Sequence, residues 1–256
     1  MTYYVTASDG VDIAYDCIGE GPPIVLVHGF GANRTITWAN TGWYQALERA
    51  GHKVIAVDCR GHGESEKPHE PEDYDEGRMA MDIIAVLVAL EIPETDVMGY
   101  SMGGQLAIRL MHDAPGRVRR AVLGGVGETY FRFSEERTET IAEALLAKDP
   151  AGITDPLARE YRVFCEKAGD DLSAMAACMR RTRAPFAPEE LHALPQKVLV
   201  VCGEQDHTAG SPEPLARAFR DGHSLILPKR NHHSAVGDRD YKEAVLAFLA
   251  NDQGYG

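Results

Sequence analysis

The sequence predicts an α/β protein: a mostly parallel, eight-stranded sheet flanked by helices and interrupted once by a helix-rich insertion. Three observations predict it. Short, continuous apolar runs, of the kind found in strands buried on both faces, occur at residues 24–27, 54–57, 97–98, 118–126 and 198–201. A segment with helical spacing follows most of them. Between residues 128 and 193 the alternation stops, and a long, charged, helix-prone stretch takes its place.

Taken from the N-terminus, residues 3–7 and 11–17 alternate in character and flank Ser8-Asp9-Gly10, an Asp-Gly turn that makes them a β-hairpin. Strands at 24–27, 54–57, 97–98 and 118–126 then alternate with helices at 43–50, 79–90 and 104–111. Beyond the insertion come a strand at 198–201, a helix at 214–219, a strand at 223–227 and a helix at 241–249. Strands alternating with helices give a parallel sheet covered on both faces. Within the insertion, SEERTETIAEALLAKD, ITDPLAREYRVFCEKAGDD and LSAMAACMRRTRAP are separated by Pro and Gly breaks, and the basic cluster Arg180, Arg181 and Arg183 reads as a solvated helix end.

Composition narrows the function. A chain of 256 residues can bury a sizeable core as one domain with an insertion. Lys and Arg number 26 against 39 Asp and Glu, and the resulting charge of −13 disfavours nucleic acid and anionic membranes as partners. Cys17, Cys59, Cys165, Cys178 and Cys202 are scattered, odd in number and contain no C-x-x-C, so they read as core residues in a reducing compartment. The start MTYYVTASDG lacks the basic-then-apolar pattern of a secretory leader, and no run approaches the ~18 apolar residues of a spanning helix. The expectation is a soluble, cytoplasmic protein.

The chemistry concentrates at Gly99-Tyr100-Ser101-Met102-Gly103. Asp96, Val97 and Met98 end a buried strand, while Leu106, Ala107, Leu110 and Met111 recur at helical spacing, so Ser101 stands on a strand-to-helix corner. Such a corner strains the serine backbone and brings strand and helix too close for flanking side chains, which is the demand behind G-x-S-x-G. A serine hydroxyl is a poor nucleophile at neutral pH and needs a base, and the base needs an orienting acid. Past the strand at 198–201, Gly203-Glu204-Gln205-Asp206 offers Asp206 at the same sheet edge as Ser101, with Glu204 and Glu128 as competitors. The loop PKRNHHSAVGD offers His232 and His233, of which an extended loop would let only one face Ser101. For a developing oxyanion, backbone N–H groups serve best, and Met102 after the serine and Phe30 in His28-Gly29-Phe30-Gly31 supply them. No metal ligand set and no cofactor is called for.

In this order, HGFG at 28–31, DCRGHGESEKP at 58–68, GYSMGG at 99–104, GEQD at 203–206 and NHHSAVGD at 231–238 make the chain resemble the α/β-hydrolase superfamily over nearly all of its length outside the insertion. The resemblance implies Ser101 as nucleophile, Asp206 as acid and His232 as base. The doubled histidine departs from the family pattern and keeps His233 as a competitor. It further implies a core of residues 1–127 and 194–256 roofed by a helical cap at 128–193. Haloalkane dehalogenases and epoxide hydrolases of this fold use Asp where this chain has Ser101, so those activities are disfavoured. The expected activity is that of a serine carboxylesterase, cleaving a small or medium acyl ester through an acyl-enzyme. Carbon–carbon bond hydrolysis, cofactor-free perhydrolysis and a ligand-sensing role that retains the triad are the alternatives. The partner is a small-molecule substrate, and the insertion at 128–193 is expected to set substrate choice, because its opening residues Tyr130, Phe131 and Phe133 bring aromatic bulk near the carboxyl edge of the sheet; the alternative is that these aromatics merely anchor the cap to the core.

Overall fold

The Val- and Ile-rich runs carry apolar side chains on both faces, and only a sheet sandwiched between two helical layers buries both. The computed structural model, which describes residues 1–132 and 134–250, has this architecture. Its strands are β1 (Thr2–Thr6), β2 (Asp12–Ile18), β3 (Pro23–Val27), β4 (Lys53–Val57), β5 (Thr95–Tyr100), β6 (Val118–Gly124), β7 (Lys197–Gly203) and β8 (Asp221–Leu227). They form one eight-stranded sheet in the order β1-β2-β4-β3-β5-β6-β7-β8. β2 runs antiparallel to its neighbours β1 and β4, and the remaining pairs are parallel.

The helices are α1 (Trp43–Arg49), α2 (Glu76–Ala89), α3 (Met102–Asp113), α4 (Glu135–Leu146), α5 (Pro156–Ala168), α6 (Leu172–Met179), α7 (Pro188–His192), α8 (Pro212–Ala218) and α9 (Arg239–Ala250). Period-two alternation divides each strand between two cores. Val25, Val27, Ile55 and Val57 pack with Ile83 of α2, Leu106 of α3 and Leu215 of α8. Ile24, Leu26, Val54 and Ala56 pack on the other face with Trp43 and Leu47 of α1 and Tyr241 of α9. From β3 the chain moves outward to β4, and it returns to β5 on the opposite side of β3. The loops leaving β3 and β5 therefore part at the carboxyl edge, where ligands of open α/β sheets bind.

The predicted elements are present, with shifted ends that have local causes. Asp75 accepts from the N–H groups of Gly77 (2.9 Å) and Arg78 (3.3 Å), so α2 starts before the apolar periodicity does. β6 stops at Gly124 because Gly125 turns to φ +62°. The short α7 was not expected. Among the described residues no helix is long and apolar enough to cross a membrane.

Helices α4 to α7 lie between β6 and β7, and α4, α5 and α6 share a third apolar cluster that includes Ile141, Leu145, Cys165 and Met175, with Phe30 of the loop after β3 packed against it. Arg181 corrects the reading of the basic cluster as solvated. It is buried, donating to the Cys178 carbonyl (3.0 Å) and to Gln105 Oε1 of α3 (3.1 Å), and so ties the end of α6 to the sheet layer. Arg180 alone behaves as expected, pairing with Glu139 at the surface.

After α5, at Gly169 with φ +76°, the chain turns and carries Asp170 inward beside the Cys165 thiol. One Asp170 oxygen is buried with no partner among the described residues, and burial pushes the carboxyl up to about 7. The folded chain thus holds this proton more tightly than the unfolded chain, whose carboxyl titrates at about 3.9. Below both values there is no stability cost; it accumulates as pH rises between them and is complete above the upper one. Asp170→Asn is expected to raise the unfolding free energy at about pH 8 by roughly 1–2 kcal/mol, partial exposure having been discounted, and to have little effect near pH 4. Urea unfolding at the two pH values checks this, and an equal gain at both would show that the carboxylate charge is not the cause.

Candidate active site

Ser101 takes φ +54° and ψ −114°, outside the regions open to most side chains, at a cost of about 1–3 kcal/mol. What holds it there is the close approach of three segments. A Cβ on Gly99 would stand 2.0 Å from the Gly103 carbonyl oxygen, and one on Gly103 would stand 2.0 Å from that of Val27. The Ser101 N–H donates to the Gly124 carbonyl (2.7 Å), while its own carbonyl accepts from Gly104 (2.9 Å) and starts α3. The hydroxyl is left projecting from the carboxyl edge.

His232 reaches this hydroxyl. Its Nε2 lies 3.1 Å from Ser101 Oγ, and its Nδ1 lies 2.8 and 3.0 Å from the two Asp206 oxygens. An ionised carboxylate only accepts, so Nδ1 carries the hydrogen and Nε2 is free to take one from Ser101. Asp206 is buried and fixed in its turn by the N–H groups of Thr208 (3.1 Å) and Ala209 (2.9 Å). The competing carboxylates are elsewhere: Glu204 accepts from the Lys229 N–H (2.8 Å), and Glu128 pairs with Arg132 (3.7 Å).

The loop carrying His232 is not extended, contrary to expectation. Asn231 Oδ1 accepts from the N–H groups of His233 (3.1 Å) and Ser234 (2.9 Å), which winds the loop into a turn. Successive side chains still diverge, and His233 Nε2 faces Glu160 of α5 at 3.4 Å instead of Ser101. Tyr100, the residue before the serine, donates its hydroxyl to the His232 carbonyl (2.6 Å), and the Trp43 indole donates to that of Val236 (2.7 Å). The serine and histidine backbones are thereby fixed to each other.

Beside Ser101 runs the loop after β3. A Cβ on Gly29 would come within 3.3 Å of Ser101 Cβ, so this loop lies directly on the serine. His28 anchors it: Nδ1–H donates to the Gly29 carbonyl (2.7 Å) and Nε2 accepts from the Cys59 N–H (3.0 Å). Burial holds the His28 pKa below its ordinary value, which preserves the neutral ring that this pair of bonds requires. The segment 58–65 is in turn rigid. Asp58 accepts from the N–H groups of Arg34 and Glu64 (both 2.8 Å) and from the Arg34 guanidinium, and Arg60 grips Asp82 of α2 through two bonds (2.8 and 2.7 Å). Among the described residues no acceptor takes the N–H of Phe30 or of Met102, the first residue of α3. The positive end of the α3 dipole lies at this N-terminus, directly after Ser101.

A family model described as the alpha/beta hydrolase fold matches residues 22–152. The AB hydrolase superfamily protein YisY of Bacillus subtilis (strain 168) is 37% identical over 98% of this chain and 100% of its own. The chain belongs to the α/β-hydrolase family. The 2-hydroxymuconate semialdehyde hydrolase of Pseudomonas sp. (strain CF600) is 37% identical over 73% of this chain and 71% of its own. A solved structure of a hydrolase from Pseudomonas aeruginosa PA01 shares the fold with a TM-score of 0.82 at 24% identity, covering 97% of this chain and 98% of that one.

In this α/β hydrolase the serine opens into a cavity of about 300 Å³. One wall is a single face of α5, made by Leu157, Glu160, Tyr161 and Phe164 at helical spacing. Opposite stand Val236 and, from a single π-helical turn at Thr35–Ala39, Ile36 and Thr37. Tyr130 and Phe131, expected here, do not line it. Tyr130 packs into the core, where its hydroxyl accepts from the Phe186 N–H (3.1 Å), so it anchors the insertion; Phe133 lies outside the described residues. The α5 face escaped the sequence reading, although its apolar members at 157, 161 and 164 carried the signal.

The two histidines are expected to differ sharply. His232→Ala removes the group poised on the Ser101 hydroxyl and should lower kcat/KM by about 10³-fold or more, whereas His233→Ala should cost less than about tenfold. Single-turnover kinetics on a chromogenic ester measures both, and the reverse ranking would misplace the base by one residue.

Proposed function

We propose that this chain is a serine hydrolase, a carboxylesterase for a small or medium acyl ester. The single observation that carries the reading is the hydrogen-bonded chain from Ser101 Oγ through His232 to buried Asp206, ending at a cavity. His232 Nε2 accepts the Ser101 proton as Oγ bonds to the ester carbonyl carbon. The oxyanion takes hydrogen bonds from the Phe30 and Met102 N–H groups. His232 returns the proton to the departing alcohol, and the acyl group stays on Ser101. Water, deprotonated by His232, then releases the acid and restores the serine. Asp206 holds the ring in its working tautomer and stabilises its positive charge. No cofactor enters any step. Residues 128–193 act as the cap, and α5 supplies the wall against which the acyl group lies.

A second reading, carbon–carbon bond hydrolysis on the same three residues, is favoured by the 37% likeness to the semialdehyde hydrolase. Turnover of p-nitrophenyl acetate, butyrate and hexanoate, beside that of 2-hydroxymuconate semialdehyde, separates the two. The esterase reading expects ester hydrolysis that Ser101→Ala lowers by about 10³- to 10⁶-fold with the fold intact by circular dichroism. Higher kcat/KM on the semialdehyde would select the second reading, and ester turnover that survives in Ser101→Ala would overturn both.

A further inference from the structure

We infer that Glu160 is a charge filter at the mouth of this cavity, selecting substrates with an uncharged acyl group and rejecting those whose acyl chain ends in a carboxylate. The inference rests on the hydrolase reading of the same cavity and concerns its substrate class. On the wall made by α5, Leu157, Tyr161 and Phe164 offer apolar or aromatic surface, and among the described residues that line the cavity Glu160 is the single Asp, Glu, Lys or Arg. Its position is set by His233, whose Nε2 lies 3.4 Å from Glu160 Oε1 and whose ring packs against Phe164 at 5.5 Å. Both side chains are more than half exposed, at 61% and 58%, so the pair marks the rim.

Among the described residues Glu160 has no ion-pair partner besides His233. A polar vestibule that shares Thr41, His233 and Val236 with the cavity holds Arg230 and Arg239. Arg230 is bound to Asp238 (2.5 Å), and Arg239 lies 3.5 Å from both Asp240 and Glu243. Arg181 is buried in its bonds to Cys178 and Gln105 and does not line the cavity. An entering carboxylate therefore meets Glu160, paired at the rim with His233 alone among the described residues, under a net charge of −13 that repels it from farther out.

The test compares p-nitrophenyl butyrate with mono-p-nitrophenyl succinate, which differ in the terminal carboxylate, at about pH 8 and low salt. The readout is the ratio of their kcat/KM values. Relative to wild type, Glu160→Gln should reduce the preference for butyrate by about three- to tenfold and Glu160→Lys by more. Salt at about 0.5 M should shrink the preference in wild type more than in Glu160→Gln. A ratio unchanged in both variants would overturn the filter, because an apolar wall alone rejects charge without regard to residue 160. Calorimetric binding of butyranilide and succinanilic acid to Ser101→Ala protein, with and without Glu160→Gln, reads the same discrimination without turnover. Absent ester turnover thus counts against the esterase reading, whereas the ratio of dissociation constants decides the role of Glu160.

Discussion

Between β5 and α3 the chain reverses direction around one residue, and it can do so because Gly99 and Gly103 bring carbonyl oxygens to within 2.0 Å of where their Cβ atoms would be. This close approach holds Ser101 at φ +54° and lifts its hydroxyl off the sheet edge. The surrounding geometry depends on it. Gly29 lies against the serine, Met102 begins a helix directly after it, and Tyr100 is placed to bond the His232 carbonyl. Any residue larger than glycine at 99 or 103 would have to push the strand and helix apart, and the serine would relax with them.

Around that corner the protein uses buried polar groups for placement. Arg34 and Arg60 are nearly inaccessible, yet each is matched to carboxylates, Arg34 to Asp58 and Asp16 and Arg60 to Asp82 and Asp9. Desolvation offsets much of the Coulombic gain of such pairs, so their value lies in fixing position more than in raising stability. They make the segment after β4 a rigid base for His28, and His28 carries the loop that ends at Phe30. The cavity rim differs from the scaffold: among the described residues Glu160 has His233 as its one ion-pair partner, and both side chains are exposed.

The sheet was legible because its central strands are buried on both faces and show as continuous apolar runs, the clearest signal a parallel sheet gives. The corner at Ser101 was legible for a related reason: glycine spacing records where backbones approach too closely for a Cβ. Long-range partnership left no such mark. Arg181 sits in a basic cluster that reads as solvated, and it is buried against Gln105 of α3 and Glu76 of α2, far from it in the chain. His232 and His233 are neighbours of one type, and what separates them is the turn that Asn231 imposes and the carboxylates, Asp206 and Glu160, that face them from distant parts of the chain. The wall of α5 was hidden by its mixed composition, since a glutamate breaks the apolar stripe at the position that meets the cavity mouth.

We propose that the strained corner and the Asp206–His232 pair together make Ser101 nucleophilic. Covalent labelling by a fluorophosphonate, mapped by peptide mass spectrometry, tests it most directly. A single adduct on Ser101 is expected, forming about 10²-fold or more slowly in His232→Ala and absent in Ser101→Ala. An adduct on another residue, or Ser101 labelling at an unchanged rate without His232, would contradict it.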